Sequence, residues 1–153
     1  MDFTTFFERD LDKLAEEINL YKHEDDLWKI KEGISNSAGN LVLYLIGNLN
    51  HFIGATLGNT GYARDRDKEF SLKNIHRMQL VEEINNTSAV IKNILSGLSE
   101  DDLGKDFPVP FNKKTLSVSF MLMHLLAHLS YHLGQINYLR RILQGSNVAA
   151  SAT

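Results

Sequence analysis

The chain has 153 residues, no cysteine and a formal net charge of −3. This length fits one domain with a sizeable core, and a hydrophobic content of 43% is typical of a globular protein. The absence of cysteine excludes disulfides, thiolate metal ligands and a cysteine nucleophile. The slightly acidic balance argues against nucleic acid as a partner, because phosphate binding needs a basic surface.

No segment resembles a targeting signal or a membrane span. The acidic N-terminal stretch lacks the basic and apolar regions of a signal peptide. The most apolar stretch, residues 41–57, is interrupted by Asn48, Asn50 and His51 and is too short to cross a bilayer. We therefore expect a soluble, cytoplasmic protein with no membrane partner.

Four segments have the three-and-four spacing of apolar residues that predicts helices. The first runs from about Asp2 to Tyr21. The second runs from about Ala38 to Leu57 and is apolar nearly all round, which is typical of a helix in the middle of a bundle. Ser71 is the predicted N-cap of the third, which extends to about Leu98.

The fourth helix is predicted to begin after Thr115 or Ser117 and to end near Leu143. The connector before it, residues 99–112, contains both prolines and favours extended backbone. The predicted fold is therefore all-α: a four-helix bundle with two long connectors. We expect a single domain over residues 1–145 and a flexible tail over residues 146–153.

Three of the six histidines lie on the fourth helix at four-residue spacing: His124, His128 and His132. Counted from the centre of the apolar arc at ~100° per residue, His132 lies roughly 40° away, His128 roughly 80° and His124 roughly 120°. His132 thus points inward, His128 lies at the inner edge and His124 lies near the boundary. An unpaired buried ring nitrogen costs ~1–3 kcal/mol, so the inner pair needs a shared partner. A metal ion is a good candidate, since neutral imidazole is the commonest protein metal ligand.

His51 on the second helix is the predicted third ligand. It lies close to a stripe of Gly47, Gly54 and Gly58, and glycines at this spacing would let another helix approach closely. Three imidazoles from two helices leave coordination positions open for water and substrate, as in catalytic metal sites. The alternative is a metal-free bundle, because the same histidine spacing also occurs in helices for structural reasons.

The residues around these histidines resemble the DinB-like superfamily. The stretch His128-Leu-Ser-Tyr-His132-Leu-Gly-Gln resembles its fourth-helix signature, with Leu133 where arginine is common. Asn48-Leu-Asn-His51 resembles its first ligand histidine, and residues 62–70 resemble a signature of small bacterial members. The resemblance implies a four-helix bundle, often dimeric, in which His51, His128 and His132 hold a divalent metal. Characterised relatives include bacillithiol-dependent thiol S-transferases and a mycothiol-dependent maleylpyruvate isomerase.

We therefore expect an enzyme that uses a divalent transition metal, zinc or nickel, as a thiol S-transferase or a hydrolase of a small molecule. Because the chain lacks cysteine, thiol transfer would need a low-molecular-weight thiol from outside. A homodimer is expected from the resemblance alone. No catalytic residue is assigned. The alternative is a non-catalytic metal-binding or interaction bundle.

Four side chains near the predicted ligands have two interpretations each. Gln135, one turn beyond His132, would either orient a ligand or bond to backbone. Tyr44 would line the pocket or be an ordinary core residue. Arg64 and Arg66 would clamp a substrate carboxylate, or would hold a loop through solvated ion pairs.

Overall fold

The computed structural model describes residues 1–145, and the predicted tail at residues 146–153 lies outside the described residues. The helices in chain order are α1 (Phe3–Leu20), α2 (Ala38–Leu49), α3 (Arg66–Ser71), α4 (Arg77–Leu95), α5 (Glu100–Gly104) and α6 (Val118–Gln144). α2 continues directly into a π-helical segment, Asn50–Leu57, and a 3₁₀ turn, Glu24–Trp28, lies in the first connector. The predicted all-α fold with four long helices is confirmed.

Polar residues cap the long helices that carry the histidines. The Ser37 side chain accepts a hydrogen bond from the amide of Asn40 at the start of α2. The Ser117 side chain accepts one from the amide of Phe120 at the start of α6. Such a cap satisfies a backbone donor that has no partner inside the helix. The predicted start of the fourth helix at Ser117 is thus confirmed.

The prediction that Ser71 caps the third long helix is wrong. Ser71 is the last residue of α3, whose own N-cap is Asp65. Asn74 then adopts a left-handed backbone with φ of 59°, which interrupts the helical path, and α4 begins only at Arg77. The side-chain amide of Asn40 donates to the carbonyl oxygens of Glu69 and Leu72, both at 2.9 Å. These bonds tie the end of α3 to α2.

The four long helices share one apolar core, to which Phe7 of α1, Leu45 of α2, Leu80 of α4 and Leu129 of α6 each contribute a fully buried side chain. Burial of each such side chain contributes about 1.5–3 kcal/mol. α6 packs against both α1 and α2. This packing places the inner side of the histidine helix against α2.

The connector between α4 and α6 is only partly extended. Ser99 and Asp102 form a reciprocal capping box that starts the short helix α5. Beyond it, the amide of Phe107 donates to the carbonyl of Leu116 at 2.7 Å, so the segment folds back on itself. Phe111 at its tip lies beside the π-helical segment, with its ring 6.1 Å from that of Phe52.

Hydropathy along the helices gives no candidate membrane span. Among residues 1–145, no helix combines the length and the apolar character that crossing a bilayer requires.

Candidate metal site

The structure brings together the two inner histidines of α6. His128 Nε2 and His132 Nε2 lie 3.2 Å apart, and their rings meet edge to face. His124, one turn earlier, stacks at 6.4 Å from the His128 ring and contacts Phe111. His124 therefore belongs to the edge of the cluster, as its predicted boundary position implies.

Gln135 sets the proton position on His132. Its side-chain oxygen lies 2.7 Å from His132 Nδ1. A carbonyl oxygen can only accept, so Nδ1 carries the hydrogen and Nε2 presents a lone pair. Of the two interpretations of Gln135, the structure supports the one in which it orients a candidate ligand.

Burial keeps His128 neutral. It lowers the pKa of His128 to about 4, and electrostatic interactions with the neighbouring His132, His124 and Arg64 act in the same direction. Its Nδ1 atom is buried and has no hydrogen-bond partner within residues 1–145. Near neutral pH this side chain is thus an uncharged imidazole, the form that binds metal ions.

Tyr44 of α2 faces this pair. Its hydroxyl oxygen lies 3.2 Å from His128 Nε2. The Tyr44 ring meets both imidazoles edge to face, at centroid distances of 5.2 Å for His128 and 5.4 Å for His132. Of its two interpretations, the structure therefore supports the one in which Tyr44 lines the candidate site.

A buried ion pair holds the outer side of Tyr44. Arg64 donates two hydrogen bonds to the carboxylate of Glu69, both at 2.9 Å, and both side chains are buried. The Arg64 guanidinium lies 5.5 Å from the centre of the Tyr44 ring, and that of the exposed Arg66 lies 5.7 Å from it. Arg64 therefore has neither of its two predicted roles. It is paired with Glu69, so it does not clamp a substrate carboxylate, and this ion pair is buried rather than solvated.

His51 is not brought into this group. Its ring contacts Phe52, which in turn lies against Phe111. Among the described residues, no three histidine, aspartate or glutamate side chains form a group that could hold a metal ion. The predicted set of His51, His128 and His132 is therefore not assembled in this structure.

The glycines near His51 in the sequence pack against side chains of other segments. A Cβ atom at Gly47 would overlap the Glu69 carboxylate, and one at Gly58 would overlap the Ile94 side chain. The glycine stripe thus receives side chains from α3 and α4 rather than the backbone of the histidine helix. α6 meets α2 at Tyr44, and His51 lies seven residues further on, which is about 10 Å along a helix axis.

A cavity of about 450 Å³ adjoins the pair at His132. One wall is α6, where Tyr131, Gln135 and Tyr138 line it, and the other is the connector around Gly33–Asn36. Cavities that bind small molecules usually have volumes of about 300–1,000 Å³. The space is therefore large enough for a small-molecule substrate in contact with His132.

Comparisons with known proteins agree with this fold. The chain is similar to a DinB-like protein from Bacillus subtilis, YjoA, with 14% identity, a TM-score of 0.71 and coverage of 97% of this chain and 96% of that chain. It is also similar to a DinB-like protein from Bacillus cereus, with 15% identity, a TM-score of 0.74 and coverage of 97% and 95%. No curated protein matches the sequence.

A family model, described as a protein of unknown function, DUF1572, matches residues 6–151. The match extends over nearly the whole sequence and includes Tyr44, Arg64 and both inner histidines. The chain therefore belongs to the DUF1572 family, and its fold is that of the DinB-like proteins.

Proposed function

We propose that the protein is a metal-dependent enzyme of the DinB-like class that acts on a small molecule. His128 and His132 would hold a divalent transition ion, zinc or nickel, and the cavity beside His132 would receive the substrate. The observation that carries this proposal is the 3.2 Å separation of the two Nε2 atoms.

The separation fits two ligands of one ion. With metal–nitrogen distances of about 2.0–2.1 Å in a tetrahedral site, two ligand nitrogens lie about 3.3 Å apart. The lone pair on His132 Nε2, fixed by Gln135, supports the same assignment. The neutral state of His128 removes the competition between a proton and the metal.

The third protein donor in this proposal is Tyr44 rather than His51. The Tyr44 oxygen is as close to His128 Nε2 as the His132 nitrogen is. An anionic oxygen would also offset part of the ion's positive charge, which three imidazoles would leave uncompensated.

A metal in this position would act as a Lewis acid that lowers the pKa of a bound water or thiol. Hydrolysis of a small ester or amide needs the bound water. Transfer of a thiol group needs a low-molecular-weight thiol from solution, because the chain has no cysteine.

Elemental analysis of tag-free protein, purified without chelator, tests the site. We expect about one transition ion per chain, its loss in His132→Ala, and affinity reduced about tenfold or more in Tyr44→Phe. His51→Ala is the matched control and should retain the ion. Circular dichroism should show the same helix content in all four proteins.

Two results would contradict the proposal. Loss of the ion in His51→Ala but not in Tyr44→Phe would mean that His51, and not Tyr44, is the third ligand beside His128 and His132. Absence of bound ion in wild-type protein, even after incubation with Zn²⁺ and Ni²⁺, would mean that the histidines are structural.

A non-catalytic metal-binding bundle is the second candidate. The ion pair that Glu69 forms with Arg64 favours it. This carboxylate reaches α2 close to the site, but two hydrogen bonds from Arg64 prevent it from acting as a general base. The zinc-loaded protein should be assayed with p-nitrophenyl esters, and with small thiols plus an electrophile. Stoichiometric metal without turnover in either assay would favour this second candidate.

A further inference from the structure

A second cavity lies between α1 and α6 and has a volume of about 740 Å³. This volume is typical of cavities that bind small molecules. Among the described residues, it shares only Tyr138 with the cavity beside His132. Its α6 side includes Leu133, Gly134 and Tyr138. Every lining residue from α1 is charged, and these are Arg9, Asp10, Asp12, Lys13, Glu16 and Glu17. The cavity therefore joins a charged wall to a partly apolar one.

Asp10 in this cavity has a buried carboxylate oxygen without a partner. The residue is only 5% exposed. Its Oδ1 atom accepts a hydrogen bond from Arg9 Nε at 2.8 Å, whereas Oδ2 is buried and has no partner within residues 1–145. An unsatisfied buried acceptor destabilises a protein, and a donor that reaches it removes this cost. Because the terminal torsion of aspartate is broad, the carboxylate can turn its unpaired oxygen toward the cavity.

The cationic side chains that line the cavity already have other contacts. Lys13, one turn beyond Asp10, is paired with Glu16 at 3.2 Å. The guanidinium of Arg141 lies 5.6 Å from the centre of the Tyr138 ring. The Arg9 side chain is 60% exposed, so solvent screens the charge that it places beside Asp10. None of these contacts uses Asp10 Oδ2, which therefore remains open to a donor from outside the chain.

Gly134 leaves room on the α6 side of the cavity. It lies in the interior of α6, where glycine is less favourable than alanine. A Cβ atom at this position would meet no described atom within 4 Å, so packing inside the protein does not require a glycine here. Glycine does allow a bound molecule to lie directly against the helix backbone. This is an observation separate from the unpaired oxygen of Asp10, and it points to the same cavity.

From these observations we infer that the α1–α6 cavity binds a small organic molecule with a primary ammonium group on an apolar body. The ammonium group donates to Asp10 Oδ2, and the apolar body lies over Leu133, Gly134 and Tyr138. Hydrogen bonds between two charged groups are the strongest, which favours an ammonium group over a hydroxyl or an amide. A guanidinium group fits less well, because it binds two carboxylate oxygens at once and only one is unpaired here.

An inorganic cation is a poorer occupant of this cavity. Within residues 1–145, no three histidine, aspartate or glutamate side chains form a group that could chelate an ion. An ion would also leave the space over Gly134 unfilled. The inference does not depend on the proposed metal site, because neither His128 nor His132 lines this cavity.

NMR titration of the ¹⁵N-labelled full chain with 2-phenylethylamine tests the inference. EDTA in the buffer separates the result from any metal binding. We expect a dissociation constant of about 1 mM or lower, as is usual for so small a ligand, and shifts at the amides of α1 and α6 that surround Asp10 and Gly134. The uncharged 2-phenylethanol, which has nearly the same shape, should bind at least tenfold more weakly.

Two variants test the two walls of the cavity separately. Asp10→Asn keeps the shape of the side chain but removes its charge, and should weaken amine binding tenfold or more. Gly134→Leu fills the space above α6 without a change of charge, and should have a similar effect. Asp101→Asn, which removes one charge from the exposed surface of α5, is the matched control and should bind like the wild type. Circular dichroism should show the same helix content in all of these proteins.

Four results would overturn the inference. They are equal affinity for the amine and the alcohol, shifts confined to other parts of the chain, unchanged affinity in both Asp10→Asn and Gly134→Leu, and displacement of the amine by millimolar Mg²⁺ or Ca²⁺. The last result would mean that the cavity is a site for inorganic cations.

Discussion

Replacement of Gly47 by alanine tests how the candidate site is supported. In most helix interiors this change stabilises a protein by about 1 kcal/mol. Here the new Cβ atom would overlap the Glu69 carboxylate, whose two hydrogen bonds hold Arg64 beneath Tyr44. Because Glu69 is buried on α3, it can move only by weakening this pair. Breaking a buried pair costs about 3–5 kcal/mol, so we expect a net loss of about 2–4 kcal/mol in the free energy of unfolding.

Urea unfolding followed by circular dichroism measures this loss as a lower midpoint at an unchanged slope. Gly104→Ala is the matched control, because a Cβ atom there meets nothing within 4 Å. That variant should be as stable as the wild type or slightly more stable. If Gly47→Ala were also at least as stable as the wild type, the packing of Glu69 against α2 could not be the support that we describe.

Three further experiments test other buried or capping contacts. Arg140→Met should reduce the free energy of unfolding by about 3 kcal/mol, because it leaves the buried carboxylate of Glu17 without its cation. Addition of Glu17→Leu should recover most of that loss in the same urea titration. Tyr21→Phe removes a buried hydroxyl that donates to a carbonyl oxygen of α6 at 2.9 Å, and calorimetry should show a loss of about 1–2 kcal/mol; no loss would mean that this carbonyl finds another partner. Hydrogen bonds from Lys105 and Ser99 hold the pKa of Asp102 below its usual range. These bonds therefore stabilise the folded protein when the pH is above the unfolded-state pKa of Asp102. Their contribution to the free energy of unfolding is lost as the pH falls toward the lower, folded-state pKa. Asp102→Asn should therefore lower Tm at about pH 7, and the difference from wild type should shrink as the pH is lowered below the unfolded-state pKa; a pH-independent difference would contradict this origin.

The helices could be predicted where apolar spacing and capping residues agree. This holds for α1, and for α6, where Ser117 precedes a long periodic segment. The prediction failed between Ser71 and Arg77, because the interruption depends on a left-handed backbone at Asn74 and on hydrogen bonds from Asn40, which span 29 and 32 residues. A local sequence pattern gives no information about hydrogen bonds between residues that lie this far apart in the chain.

The candidate site was predictable to a similar degree. His128 and His132 belong to one helix, so the four-residue spacing alone places them together. Tyr44 depends instead on the register between α2 and α6, and a shift of two helical turns exchanges it for His51. Nothing in either helix taken alone fixes that register. In the structure, this register is accompanied by close packing at two glycines. Glu69 of α3 packs against Gly47 of α2, and Ile94 of α4 packs against Gly58 at the end of the π-helical segment.

The charges around Tyr44 limit what the site can bind. Arg64 lies close enough to lower the pKa of His128, and an unpaired cation there would also repel a metal ion. Its buried pairing with Glu69 offsets most of this repulsion. Arg66 also contacts the Tyr44 ring, but it is exposed to solvent and lies between Asp65 and Asp67. In the proposed metal site, the pairing of Arg64 with Glu69 is therefore what would let a cation bind at His128 and His132.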